Sequence, residues 1–307
     1  MPQVSHAQVG AAPKTDEVTF RLVVPEQATF VETRTFEKLI SYGDKEPTEV
    51  ETLSQTSDVV IRRRGTGFLV SVKPRPAKER EEPGSAAQGV MEALRALRLQ
   101  YEFDGQGNLV ALRGTEKFRE ELASIAPPEM KAMLDALMVR VVEDLKDEWG
   151  SRYQGLVGQT FRIGYRQTSE VPMTLAPKIP PLTAKMGRGV SGRQPCDGRE
   201  CVAFFMGYVV ENTDGYGEAI TGMLREWSRQ MLKGWGSADA PAAIRQLEAA
   251  MPKLKVTEIV CLTQRLVDPL TMTVHSERRT KGFTGVIDGR NAMHWLEVTT
   301  LEYKRVS

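Results

Sequence analysis

The residues able to do chemistry are few and scattered. There are three cysteines, Cys196, Cys201 and Cys261. Cys196 and Cys201 bracket the turn-forming stretch Asp197-Gly198-Arg199-Glu200. Strands leaving such a turn could hold the two sulfurs within bridging distance. A disulfide there would favour an oxidising compartment; the alternative is a pair of free thiols beside a loop. No metal site is expected, because the spacing offers no second Cys or His pair to complete one. Cys261 lies in the apolar run Ile259-Val260-Cys261-Leu262 and reads as a buried thiol. His6 lies in a polar N-terminal stretch, while His275 and His294 fall in strand-like segments. A carboxylate such as Glu277 could join these two around a metal, but two ordinary strand histidines are the preferred reading.

Gly187-Arg188-Gly189-Val190-Ser191-Gly192 matches the spacing of a dinucleotide-binding loop. No apolar strand precedes it, and Arg193-Gln194-Pro195-Cys196 cannot open a helix after it, so a flexible loop is expected. Asp104-Gly105-Gln106-Gly107-Asn108 has some of the spacing of a calcium loop. It lacks the later glutamate and reads as a hairpin turn. No His-Glu-x-x-His, Gly-x-Ser-x-Gly or phosphate loop is present. No catalytic residue, metal or cofactor is assigned. The remaining candidates are apolar. Met133, Leu137, Val141, Trp149, Phe204 and Trp227 could line a cavity, although Met and aromatic stripes are more often plain core.

The elements that must position these residues begin with the stretch 128–150. Met130, Met133, Leu134, Leu137, Met138, Val141, Leu145 and Trp149 recur at helical spacing, with Pro128 to open the helix and Gly150 to close it. Around it the pattern is mostly β. Val18–Val24 alternates, and Phe30, Glu32, Arg34 and Phe36 share one side of a second strand. Segment 49–63 makes a third strand, turned back at 64–67 into Phe68–Val72. A helix over 90–99, a hairpin of 99–103 with 109–112, and a helix over 115–125 follow. Phe161, Ile163 and Tyr165 begin a second β section. Residues 171–195, rich in Pro and Gly, read as an ordered binding loop or a mobile flap. CVAFFMGYVV, 201–210, is apolar on both faces and reads as a central strand. Helices carrying Ile220, Trp227 and Trp235, then Ile244 and Leu247, precede closing strands after Val256.

Apolar content of 41% and charged content of 26% in 307 residues describe an ordinary globular chain. A net charge of +1 provides no long-range field for nucleic acid or an anionic membrane. No window has the ~20 apolar residues of a membrane-spanning helix. The expected class is α+β, a curved antiparallel sheet covered by amphipathic helices. The divisions are a disordered tail (1–16), a β-meander with helices (17–150) and a second β section with closing strands (151–307). The last two could form one continuous domain.

In outline the pattern resembles the half-barrel fold of bacterial envelope lipoprotein carriers and lipid-binding lipoproteins. The resemblance rests on the meander Val18–Val72, the hairpin Tyr101–Leu112, the helix Met130–Trp149, the strand Leu156–Tyr165 and the strands after Val256. It carries no specific motif, so no functional residue is transferred. It implies one or two half-barrel units with helices over the mouth. The function it implies is non-enzymatic binding of a lipid or acyl chain between sheet and helices, in the periplasm or cell envelope. The start of the chain lacks the charged and apolar regions of an export signal, although Ser5-His6-Ala7 would suit a cleavage site; a cytoplasmic location is the alternative. Two other functions stay open: an envelope scaffold or protein-interaction module with a filled core, and a hydrolase-like enzyme with its site under the 171–195 loop.

Overall fold

A computed structural model describes residues 16–42, 48–75, 97–125, 131–173, 182–210, 254–287 and 291–306. Eleven strands form one open antiparallel sheet among them. One side is a meander of β2 (Gln27–Tyr42), β3 (Thr48–Arg64), β4 (Gly67–Pro74), β5 (Leu99–Phe103) and β6 (Leu109–Arg113). The other runs through β8 (Arg166–Met173), β9 (Leu182–Cys196), β10 (Arg199–Val210), β11 (Leu254–Val267), β12 (Val274–Ile287) and β13 (Asn291–Arg305). The two sides join where β13 pairs with β2, from Met293 opposite Tyr42 to Arg305 opposite Phe30. The middle of the sheet is therefore β13. The run 201–210 is an interior strand between β9 and β11, not the central one.

Two α-helices are described, α1 (Thr115–Ile125) and α2 (Lys131–Tyr153). Gly150 does not end α2, because its backbone stays helical; Gly155, with φ of 71°, lies just beyond the end and takes the left-handed conformation common there. The last turns of α2 meet one face of the sheet. Tyr153 packs edge-on against Phe68 and Phe103, which stack on each other with centroids 4.8 Å apart. Trp149 packs against Tyr101 at 5.4 Å. Burying each of these side chains is worth roughly 1.5–3 kcal/mol before ordering costs. A sheet covered by amphipathic helices is not what the described residues show. The contact of α2 is mixed, because Glu148, Ser151 and Arg152 share its sheet-facing turns with Trp149 and Tyr153. Of the helix predicted over 90–99, residues 90–96 lie outside the described set, and its end is not helical, because Leu97 and Arg98 are irregular and Leu99 opens β5. The helices expected around 220–235 and 244–247 lie outside the described residues. No described helix is long and apolar enough to cross a membrane.

Three further expectations change. Of the alternating run Val18–Val24, only β1 (Glu17–Thr19) is strand, and it pairs with β7 (Thr160–Arg162) in a separate two-stranded sheet. Phe20 then enters the core, where its ring meets Phe161 and Phe204 edge-on at 5.7 Å each. The irregular loop expected over 171–195 is largely the strand pair β8–β9, with residues 174–181 outside the described set. The Gly187–Gly192 motif is part of β9, opposite Ala203–Gly207 of β10, so it is a strand and neither a loop nor a phosphate cradle.

Candidate functional site

Alternation on the strands sets one face of the sheet toward α2. Register places Glu32 beside Tyr303, Arg34 beside Leu301, and Glu277 beside both Leu301 and Arg265, all in rows on that face. The helix supplies Glu148, Ser151 and Arg152. Together these residues make a buried ion network. Arg34 donates from both terminal nitrogens to the Glu148 carboxylate, one contact being 3.2 Å, and lies 3.4 Å from Glu32. Tyr303 donates to Glu32 at 2.5 Å and accepts from Arg152 at 2.6 Å. Arg265 donates to Glu277 at 2.8 Å. It also donates to the backbone carbonyl and hydroxyl of Ser151, at 2.7 and 2.8 Å. Arg279 bonds the other Glu277 oxygen and reaches the Glu148 carbonyl at 3.2 Å. Arg152 lies over the Trp149 ring, 3.9 Å from its centroid.

The placement of these cations follows from the helix itself. Its last carbonyls lack intrahelical partners and carry the negative end of the macrodipole. Arg265 satisfies the Ser151 carbonyl, which would otherwise be such an orphan.

Four guanidiniums (Arg34, Arg152, Arg265, Arg279) face three carboxylates (Glu32, Glu148, Glu277), leaving one positive charge in surplus. Burial alone would push the Glu148 carboxyl up, but Arg34, Arg279 and Arg152 overcome it and hold its pKa at about 2. Burial opposes ionisation of Glu277 as well, yet Arg265, Arg152 and Arg279 hold it well below the usual carboxylate range. Burial lowers the pKa of Arg265, and Arg152 and Arg279 add to that against the pull of Glu277. Burial raises Tyr303 well above an ordinary phenol and raises Tyr153 to about 12. Both carboxylates are thus fixed as anions near neutral pH, the wrong direction for a general acid or base working there.

Beside this network lies a cavity of about 350 Å³ between the sheet and α2. Phe36, Leu53, Val72, Leu97, Leu99, Leu145 and Trp149 give it apolar walls; Glu32, Arg34 and Glu148 form a charged one. Arg34 is the most exposed member of the network, with 31% of its side chain accessible.

Of the residues singled out from the sequence, Trp149 lines this cavity. Val141 packs, half-buried, against the main core, and Phe204 is enclosed with Phe20 and Phe161 away from this space. Trp227 and the side chains of Met133 and Leu137 lie outside the described residues. Sequence reading missed Glu32, Arg34 and Tyr303 as a group. The available signal was Glu32 and Arg34 between Phe30 and Phe36 on one strand face, where charges toward a core demand partners. Cys196 and Cys201 form a disulfide at the tip of the β9–β10 hairpin, with Cα atoms 5.7 Å apart. His294 lies opposite Thr284, at the far end of β12 from His275, so these histidines do not share a site. Asp104 accepts from the backbone amides of Gln106 and Asn108 at 2.8 Å each and from the Asn108 side chain, which makes the 104–108 segment a self-capped turn.

A comparison of the chain with models of known protein families and with curated proteins finds no match.

Proposed function

We propose that the protein is a non-enzymatic binder of an amphiphile, such as a fatty acid or the acyl chain of a lipid, held between the sheet and α2. The observation that carries this reading is the cavity. It has the size of small-molecule sites, mostly apolar walls and a few fixed polar groups at one side. An acyl chain would replace water along Leu53, Val72, Leu99 and Leu145, while the charged wall would face its polar end. The open antiparallel sheet with a helix across one face is compatible with the half-barrel arrangement of envelope lipid carriers, a likeness of outline that does not fix the ligand. The Cys196–Cys201 bond supports an oxidising compartment, and with it the periplasm or cell envelope. A hydrolase site beneath the 171–195 segment has no such support, since most of that segment is paired strand.

The test uses the whole chain, gently purified, in native mass spectrometry, followed by delipidation and titration with a fluorescent fatty acid. A removable adduct and saturable one-to-one binding are expected. Leu99→Trp, which fills the cavity, should weaken binding at least tenfold while the far-UV spectrum is kept. Absence of saturable binding by the delipidated wild type, or full binding by the folded Leu99→Trp variant, overturns the proposal.

A further inference from the structure

The tip of the β9–β10 hairpin holds a second cluster, independent of the cavity. Cys196 and Arg199 pair across a two-residue turn whose central residues, Asp197 and Gly198, have φ of 41° and 74°. Two left-handed residues are what a tight hairpin turn requires, and the Asp-Gly pair supplies them. The turn places Cys201, which is fully buried, against Cys196, which is 8% exposed. The partner that sequence spacing could not supply comes from another strand: His275 at the start of β12. One ring nitrogen of His275 and the two sulfurs all lie within 4.8 Å of one another. The Asp197 carboxylate lies 3.2 Å from His275 Nδ1, on the solvent side of the cluster.

We propose that when the disulfide is reduced, Cys196, Cys201 and His275 bind a thiophilic divalent cation such as zinc. The hairpin tip is then a thiol-gated metal site, with bridge and metal as mutually exclusive states. Three points support it. The two cysteines are separated by four residues, within the spacing of zinc-binding thiolate pairs. A ring nitrogen of His275 lies within 4.8 Å of both sulfurs, and opening the bridge frees the two sulfurs to part to the roughly 3.5–4 Å that a tetrahedral site with zinc–sulfur bonds of about 2.3 Å needs. The Asp197 carboxylate stands 3.2 Å from Nδ1, where a carboxylate partner would orient a metal-bound histidine and leave Nε2 to ligate. The fourth position is left for water.

The chemistry balances with a dithiol reductant. It gives two electrons and two protons to the Cys196–Cys201 bond and is itself oxidised to a disulfide. Metal binding then displaces one proton from each thiol. Buried Cys201 and nearly buried His275 would enclose the ion, and the exposed Asp197 turn gives it access.

The experiment takes the full chain, reduced with a phosphine and freed of reductant without oxygen, and titrates it with cobalt(II) and then zinc(II). One cobalt per reduced chain is expected, with a thiolate-to-cobalt charge-transfer band that zinc abolishes. The oxidised chain should show none. His275→Ala should weaken binding at least a hundredfold and Asp197→Asn about ten- to a hundredfold, while Cys261→Ser should leave it unchanged. Near-UV circular dichroism follows the fold throughout. The proposal is overturned if the reduced chain binds no metal, if it unfolds on reduction, if the oxidised chain binds equally well, or if His275→Ala retains full affinity.

Discussion

Replacing Glu277 by glutamine tests whether the buried network holds α2 to the sheet. The substitution keeps the shape of the side chain and removes its charge. Glu277 is 1% exposed, accepts from Arg265 at 2.8 Å, bonds Arg279, and has Arg152 Nε at 3.5 Å. Its loss changes the balance from four guanidiniums against three carboxylates to four against two. Arg152 and Arg265, the cations nearest the lost charge, are buried, so solvent screens the excess there only weakly. Breaking a buried pair by removing one partner costs roughly 3–5 kcal/mol, because the charge left behind keeps its desolvation penalty. Burial, with cationic Arg152 and Arg279 beside it, already depresses the pKa of Arg265, so the upper part of that range is expected. A loss of this size is a large fraction of a typical stability of about 5–15 kcal/mol. The assay is urea unfolding followed by near-UV circular dichroism, with Glu143→Gln as control. Glu143 pairs with Lys146 at 2.8 Å but is 61% exposed, and an exposed pair of that kind is worth about 0.2–1 kcal/mol. If Glu277→Gln unfolds within about 1 kcal/mol of the wild type, the network is not a structural anchor and the account of α2 given above fails.

Two further outcomes are expected. Glu148 and Glu277 ionise more readily in the fold than in the unfolded chain, so the unfolded state binds more protons below about pH 4.5 and stability rises with pH there. The contribution is fully present above that value and is lost as pH falls toward 2. For Glu148 it amounts to about 3 kcal/mol, and acid unfolding of Glu148→Gln should show a correspondingly flatter pH dependence between 4.5 and 2. Gly114→Ala should destabilise by about 1–3 kcal/mol in the same urea assay. Gly114 has φ of 97°, and an added Cβ would lie 2.0 Å from the Arg98 carbonyl oxygen; an unchanged midpoint would show that the β6–α1 junction relaxes freely.

Those parts of the chain whose pattern is local were legible before folding. The alternation of β2, the turn after Arg64 and the hairpin of β5 with β6 came directly from residue spacing, and so did the limits of α1. Strand β9 was not legible, because glycines at 187, 189 and 192 erase the apolar alternation that marks a strand. At 189 the structure shows what the glycine is for: a Cβ there would lie 2.6 Å from the Tyr165 backbone carbonyl oxygen. Strand β1 was overextended because Phe20 follows the same alternation, although its backbone turns away to bond Gln159 and its ring fills the core. The ion network was invisible for a different reason. The partners of Glu32 and Arg34 are Tyr303 and Glu148, brought in by β13 and α2 from far along the chain. No local pattern encodes such a meeting.

The mixed character of the α2 contact bears on the cavity beside it. A helix held by apolar contact alone gains by settling until the space beneath it is filled, since each void costs dispersion and burial. Ion pairs and hydrogen bonds are directional and lose their value when a guanidinium is displaced from its carboxylate. Arg265 and Arg279 grip carbonyls of the last turns of α2 while Arg34 grips Glu148, so the height and roll of those turns are fixed by polar geometry. Leu145, one turn earlier, is then left beside Leu53 and Leu99 with room between them. On this argument the charges are the spacer that keeps an apolar space open. Removing them should let the helix settle and shrink the cavity as well as weaken the fold.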